Sequence, residues 1–199
     1  AVKNTDVYDI ASITKIAATL PVIMRMVQKG VFSLDDELGA VYPPAKGTNK
    51  AHLRLRDMLA HQAGLQPWIA FYNKTLVNDK PDTAIYSTQK KEGFTLEVAP
   101  NLYMKNTYVA TIYEELLQSP LAEKHYKYSD LSYYFFKAIA EEHYRKPLDE
   151  ITKEMIYSPL GATTLGYKPL QNISLNRIPP TEVDNYFRFT TIQGTVHDQ

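Results

Sequence analysis

The sequence predicts a mostly α fold for the residues present. Three stretches of apolar periodicity carry that expectation. Ile13, Ile16, Ala17, Leu20, Met24 and Val27 recur at intervals of three and four and stop before Gly30. Val109, Ile112, Tyr113, Leu116 and Leu117 do the same over Tyr108–Gln118, and Leu131, Tyr134, Phe135, Ala138 and Ile139 continue the pattern to about Tyr144. Strand-like patterning is sparse by comparison, so at most a few short strands are expected.

Taken in order, Val7, Tyr8 and Ile10 read as the end of a short strand leading into Ala11-Ser12-Ile13-Thr14-Lys15. The first helix opens there and runs to about Lys29. Ser12 lies at or just inside its N-terminus, and Lys15 follows one turn later on the same side. The apolar residues fall on one helical face, and Ile13, Ile16 and Ala17 stand where they could bury Lys15. Pro21 lacks an N–H and should kink or break the helix. Gly30 stands where a left-handed cap belongs. Residues 31–45 read as a loop anchored by Leu34, Leu38 and Val41 and punctuated by Pro43-Pro44. A short helix from Leu53 to His61 stops around Gly64. Residues 66–107 carry Trp68, Phe71, Tyr72, Tyr86, Phe94 and Tyr103 without periodicity, which predicts a binding loop or lid. The helix over Tyr108–Gln118 ends at Ser119-Pro120. Ser129 or Asp130 caps the next helix. Pro147 opens another through Leu148, Ile151 and Met155. Residues 163–199 read as irregular. No repeat or linker divides the chain, so residues 1–199 are expected to form one domain.

Composition narrows the function classes. The 22 basic residues are matched by 22 acidic ones, and no basic cluster interrupts the balance, which argues against a nucleic-acid surface. No apolar run is long enough to cross a bilayer. Ala1-Val2-Lys3-Asn4 does not read as a signal peptide, although upstream sequence could carry one. Cysteine is absent, which removes thiol chemistry and cysteine metal sites. The five histidines have no ligand-like spacing, so no metal or other cofactor is expected. Fifteen tyrosines fit either many half-buried amphipathic side chains or an aromatic-lined cleft.

The chemistry centres on Ser12-x-x-Lys15. A serine hydroxyl becomes a nucleophile when a base lies within hydrogen-bond reach. A lysine amine serves if burial drives its pKa down, and a helix N-terminus favours charge developing on the serine oxygen. The spacing alone is weak: Ser87-Thr88-Gln89-Lys90 repeats it within a polar stretch, residues 82–93, that reads as a loop. Taken alone, Ser12 is equally a helix-capping serine beside a solvated lysine. His61 is either drawn toward a site or, more commonly for a histidine ending a helix, a capping or core residue.

Four segments occur in order: Ser12-x-x-Lys15 opening a helix, His61-x-x-Gly64-Leu65, Tyr128-Ser129-Asp130 opening another helix, and Pro159-Leu160-Gly161 after a third. Together with Tyr8-Asp9-Ile10-Ala11 and Met58-Leu59-Ala60, they resemble the serine β-lactamase and penicillin-binding-protein family. The likeness is to its branch of class C-type enzymes, D,D-peptidases and esterases. The resemblance implies an α/β domain: an antiparallel sheet flanked by helices, a helical subdomain, and a site between them. It makes Ser12 the acylated nucleophile and Lys15 the acceptor of its proton. Tyr128 shares the base role and protonates the leaving group. The Ser12 N–H forms half of an oxyanion hole. Asp130 stands where many relatives carry Asn, and it is open between an active-site role and an N-cap carboxylate. Tyr86-Ser87 and Tyr157-Ser158 are competing pairs read as structural. The substrate is implied to be a small molecule or peptide (an ester, a D-Ala peptide or a lactam) and the location periplasmic or secreted.

Two departures stand out. The family's third motif, a Lys- or His-led segment ending in Gly, is not found, and His197-Asp198-Gln199 looks like its lead-in. Few residues precede Ser12. The expectation is therefore the helical region of such a domain with most of the sheet missing, and weak or no catalysis from this piece alone. The alternatives are a β-lactam-binding sensor that acylates without turnover and a degenerate domain attached to a larger cell-wall enzyme such as a glycoside hydrolase.

Overall fold

A computed structural model describes residues 3–196. It is 38% helical and 13% strand, with three small antiparallel sheets. The mostly α expectation, with its missing sheet, therefore does not hold. The strands that overturn it are only two to four residues long, too short to display a two-residue period in the sequence.

The residues divide into two compact units. The first comprises Ser12–Ile69 and Glu114–Gly166. Its first helix begins with a π turn, Lys15–Thr19, and continues as α1 (Leu20–Gln28). Pro21 accounts for the wide turn. It has no N–H for the carbonyl of Ala17, and an i→i+5 turn ahead of it absorbs the mismatch. The Leu20 N–H accordingly reaches the Lys15 carbonyl. Gly30, at φ 70, ends the helix. Its N–H bonds to Val27 O at 2.9 Å and that of Val31 to Met26 O at 3.0 Å, the paired bonds of a Schellman cap.

Further along lie α2 (Leu38–Val41), inside the segment expected to be loop, and α3 (Leu55–Leu59). The helices α4 (Tyr108–Gln118) and α5 (Leu131–Tyr144) lie where the periodicity predicts them. After α5 come α6 (Leu148–Thr152) and a second π turn, Lys153–Tyr157. α1 packs on α5, and α5 on α6. The core includes Val22, Ile23, Met26, Leu55, Phe135, Phe136 and Ile151.

The apolar face drawn from the sequence for the first helix is the wrong one. Ala18, Val22, Ile23 and Met26 are buried, while Ile13, Ile16 and Met24 are 57%, 61% and 62% exposed. This helix is apolar nearly all round, so a three-four repeat can be drawn on either side.

Lys50 is fully buried. Its Nζ donates to Asn49 Oδ1 at 2.9 Å, to Leu117 O at 3.2 Å and to Ser119 O. Those carbonyls belong to the C-terminal end of α4, where the last oxygens lack intrahelical partners and a cation is favoured. Burial pushes the Lys50 pKa down to about 8. Lys50→Met frees three acceptors but also removes a desolvated charge, so a net loss of about 2 kcal/mol is expected in denaturant unfolding at pH 7. Between pH 8 and the ordinary lysine value the unfolded chain holds a proton that the folded chain has released. Stability therefore rises with pH across that window, and the variant should lack that rise.

The second unit comprises Ala1–Ala11, Ala70–Tyr113 and Tyr167–Gln199. β1 (Leu76–Val77) and β2 (Lys80–Pro81) form a hairpin. Its two turn residues, Asn78 and Asp79, have φ 51 and 56, the positive pair of a type I′ turn. β3 (Tyr86–Ser87), β4 (Leu96–Ala99) and β5 (Leu102–Met104) form a sheet in the order β3-β5-β4. Residues 66–107 are thus largely built of strands and turns rather than an unstructured lid. β6 (Glu182–Asp184) pairs with β7 (Thr190–Ile192) in a region expected to be irregular. The strand expected at Val7 reduces to one backbone bond, its N–H to Arg177 O at 2.8 Å. The His197-Asp198-Gln199 reading lies outside the described residues. No helix among the described residues is long and apolar enough to cross a membrane.

Candidate active site

Two segments of the first unit lie side by side and shape the site. His61 O accepts the Lys127 N–H at 2.9 Å, Gly64 O accepts that of Ala122 at 2.8 Å, and Pro67 O accepts that of Asp130 at 2.8 Å. Leu65 bridges Leu121, and Ser129 Oγ donates to Gln66 O at 2.6 Å. Gly64 makes this approach possible. It has φ 74, and a Cβ there would lie 2.3 Å from Ala122 O. The His-x-x-Gly spacing thus has a structural reason: it docks the segment that delivers Tyr128-Ser129-Asp130.

The local chemistry then separates the two candidate caps of α5. The Leu131 N–H donates to Ser129 Oγ at 3.1 Å, and Asp130 makes no capping bond. The Asp130 carboxylate instead pairs with Lys15, with Oδ1 2.6 Å from Nζ.

Lys15 is the hub. Its Nζ donates to Ser12 Oγ at 2.9 Å, and its N–H donates to the Ser12 carbonyl at 3.0 Å across the turn that leads into the helix. The ammonium also lies 5.4 Å from the Tyr128 ring centroid and 5.6 Å from that of Tyr133, within cation–π range. Burial lowers the Lys15 pKa and is the largest single influence, but Asp130 and Tyr128 together outweigh it, and the net shift is upward. The expected lysine neutralised by burial is therefore not what the structure holds. A carboxylate distant in sequence keeps it an ammonium, and Ile13 and Ile16, expected to help bury it, point to solvent. Ser12 is exposed, Tyr128 is 43% exposed, and Ala11 turns the chain just ahead of Ser12 at φ 45.

His61 closes α3 with its backbone and turns its ring toward Tyr128. Its backbone continues the end of α3 at φ 56, with its N–H on Met58 O and that of Gln62 on Asp57 O at 2.7 Å. This is again a Schellman cap, with histidine in the place glycine usually takes. Its side chain turns to the site: Nδ1 accepts the Ser129 N–H at 3.1 Å, and the ring lies 4.5 Å from that of Tyr128.

The structure thus brings together Ser12, Lys15, His61, Tyr128 and Asp130. Tyr133 joins them without having been singled out in the sequence; it follows Asp130 by three positions, the spacing that puts two helical residues on one side. The second Ser-x-x-Lys is elsewhere: Ser87 ends β3, and its hydroxyl is committed to the backbone of Gln89. Tyr86 and Tyr157 are buried, with the Tyr86 hydroxyl against Thr75.

Residues 1–177 match the Beta-lactamase family. The chain belongs to the β-lactamase family. It is 30% identical, over 96% of its length, to a protein of Escherichia coli K12 provisionally named a D-alanyl-D-alanine carboxypeptidase, covering 43% of that relative. It is 28% identical to an N-acetylmuramyl-L-alanine amidase of Bacillus subtilis 168, over 99% of this chain and 44% of that one. Among solved structures, an octameric penicillin-binding protein homologue from Pyrococcus abyssi aligns with 98% of this chain and 41% of its own. At a TM-score of 0.58 and 17% identity, that likeness speaks to the β-lactamase fold alone. The chain spans less than half the length of each of these three.

Proposed function

We propose that this chain carries the nucleophilic half of a serine hydrolase that works through an acyl-enzyme on Ser12. The observation that carries the proposal is the hydrogen bond from Lys15 Nζ to Ser12 Oγ at 2.9 Å, with Asp130 and Tyr128 on the same ammonium. Ser12 Oγ attacks the carbonyl carbon of the substrate, and the Oγ–C bond forms as the bond from that carbon to the leaving nitrogen or oxygen breaks. Lys15 rests as an ammonium. It gives one of its own protons by way of the Tyr128 hydroxyl to the leaving group as its nitrogen takes up the proton lost from Oγ, and no net charge accumulates. The Ser12 N–H faces the developing oxyanion. Water then releases the acyl group from Ser12.

The names of the E. coli and B. subtilis relatives both describe amide cleavage in muramyl or D-alanyl compounds. Both favour an amide over an ester or a lactam, and the E. coli name favours a D-Ala-terminated peptide. We extend the proposal to location: the working protein meets such a substrate in the periplasm or outside the cell.

The test is intact mass after exposure to a fluorophosphonate and, separately, to a penicillin. One fluorophosphonate adduct on the native chain, lost in Ser12→Ala, supports the reading. An adduct on both proteins, or on neither, overturns it. A penicillin adduct that persists identifies slow release of the acyl group.

A further inference from the structure

We infer that His61 is a positioning residue: as a neutral imidazole it holds the Tyr128-Ser129-Asp130 segment in register against Lys15. The inference rests on Ser12 being the nucleophile for its kinetic consequence, and on geometry alone for its structural one.

His61 grips the chain on both sides of Tyr128. Its carbonyl accepts the Lys127 N–H at 2.9 Å, and its Nδ1 accepts the Ser129 N–H at 3.1 Å. Between these two bonds the Tyr128 ring lies against the imidazole, 4.5 Å between centroids and tilted by 38°. A bracket of this kind fixes both the position and the facing of one side chain. The backbone points the same way. At φ 56 His61 adopts a left-handed conformation that a glycine would adopt without strain. The cap at this helix end therefore does not call for a histidine, whereas the bonds to Ser129 and Tyr128 do.

The Ser129 N–H needs a lone pair on Nδ1. Only the neutral imidazole with its proton on Nε2 provides one; the imidazolium donates from both nitrogens. The charged and titratable groups facing the ring are Lys15, Asp130, Tyr128 and Tyr133. Burial, then the Lys15 ammonium, push His61 below its ordinary value, and Asp130 pulls the other way without prevailing. His61 is thus neutral near pH 7. Acid forces a proton onto it, breaks the Ser129 bond and sets a second cation beside Lys15. The sign follows from linkage: the folded chain binds this proton less readily than the unfolded one. The stability His61 contributes therefore begins to fall once pH drops below the ordinary histidine value of about 6.5, and the positioning itself is lost as pH falls through the lowered value.

Asparagine is the informative replacement. Its side-chain oxygen accepts an N–H, it tolerates left-handed backbone, and it does not titrate. The measurements are the rate of fluorophosphonate labelling against pH and the Ser129 amide proton shift against pH by NMR, on the native chain, His61→Asn and His61→Ala. Native labelling should fall on the acid side of the ordinary histidine value, as pH passes through the lowered value of His61. His61→Asn should lose that acid limb while keeping Asp130 in place. His61→Ala should label about tenfold to a hundredfold more slowly at pH 7. The Ser129 amide should titrate with His61 in the native chain and stay still in His61→Asn. An acid limb that survives in His61→Asn, or a Ser129 amide indifferent to His61, overturns the inference. If the native chain shows no Ser12-dependent labelling, the nucleophile reading fails by itself, and the amide titration still decides whether His61 holds the segment. If His61→Ala does not fold, the asparagine variant decides alone.

Discussion

Lys15→Ala is expected to slow fluorophosphonate labelling of Ser12 by about 10³- to 10⁴-fold, at the upper end of what a positioned proton carrier contributes. The substitution removes two things. Ser12 Oγ loses the group that lies 2.9 Å away and can carry its proton, and Asp130 loses its counter-charge at 2.6 Å, leaving a carboxylate near the developing oxyanion. The pair is largely buried, with the Lys15 and Asp130 side chains 15% and 36% exposed. Removing the lysine strands the carboxylate, so the variant is expected to lose about 1–3 kcal/mol in denaturant unfolding. Labelling is therefore compared under conditions where both proteins are folded. Lys15→Arg separates charge from proton transfer. Arginine keeps the cation but does not release a proton, so it should stay within about tenfold of the alanine variant if proton transfer is the larger contribution. Asp130→Asn tests the other half. Asp130 helps hold the Lys15 pKa above its ordinary value against burial. Removing its charge lets the value fall, and the alkaline rise in labelling rate should move to lower pH. A Lys15→Ala protein that labels within tenfold of the native rate would show that Ser12 is activated by something else.

What could be read in the sequence follows the range over which each feature is decided. The boundaries of α4 and α5 are set by local signals, a three-four repeat closed by Ser119-Pro120 in one case and opened after Ser129-Asp130 in the other. The face of the first helix is set by what packs on it, and an apolar surface on both sides leaves that choice to α5. The short strands leave no periodic trace, yet Asn78-Asp79 between two extended dipeptides was a legible turn signal. Within the site, Ser12 and Lys15 are joined by the turn that opens the first helix, so their adjacency is a local property. The protonation of Lys15 is not, because it depends on a carboxylate brought from the start of α5. The same holds for Asp130, whose two possible roles are separated only once Ser129 Oγ has taken the cap. Tyr133 falls between these cases. Its spacing from Asp130 is visible, but without Lys15 in place nothing marks it.

Gly64→Ala is expected to cost about 3–4 kcal/mol in denaturant unfolding, the largest stability effect of any single methyl group in the site. Two contributions add. At φ 74 any residue with a Cβ pays about 1–2 kcal/mol for left-handed backbone. The Cβ would also lie 2.3 Å from Ala122 O, a backbone atom with no flexible end to move aside. The two segments must separate, which strains the Ala122 N–H bond to Gly64 O at 2.8 Å and the Leu65–Leu121 bridge. The same segments lead to Lys127 and Ser129, which His61 holds on either side of Tyr128. The damage therefore passes along the chain to the site, and Ser12 labelling should fall even at temperatures where the variant remains folded. Gly30→Ala is the control. Gly30 has nearly the same φ, 70, but nothing lies within 4 Å of its Cβ position, so it should show the backbone strain alone and leave labelling unchanged. Equal losses in the two variants would mean that the 61–67 and 121–130 segments yield without cost, and that their close approach at Gly64 does not hold Tyr128 in place.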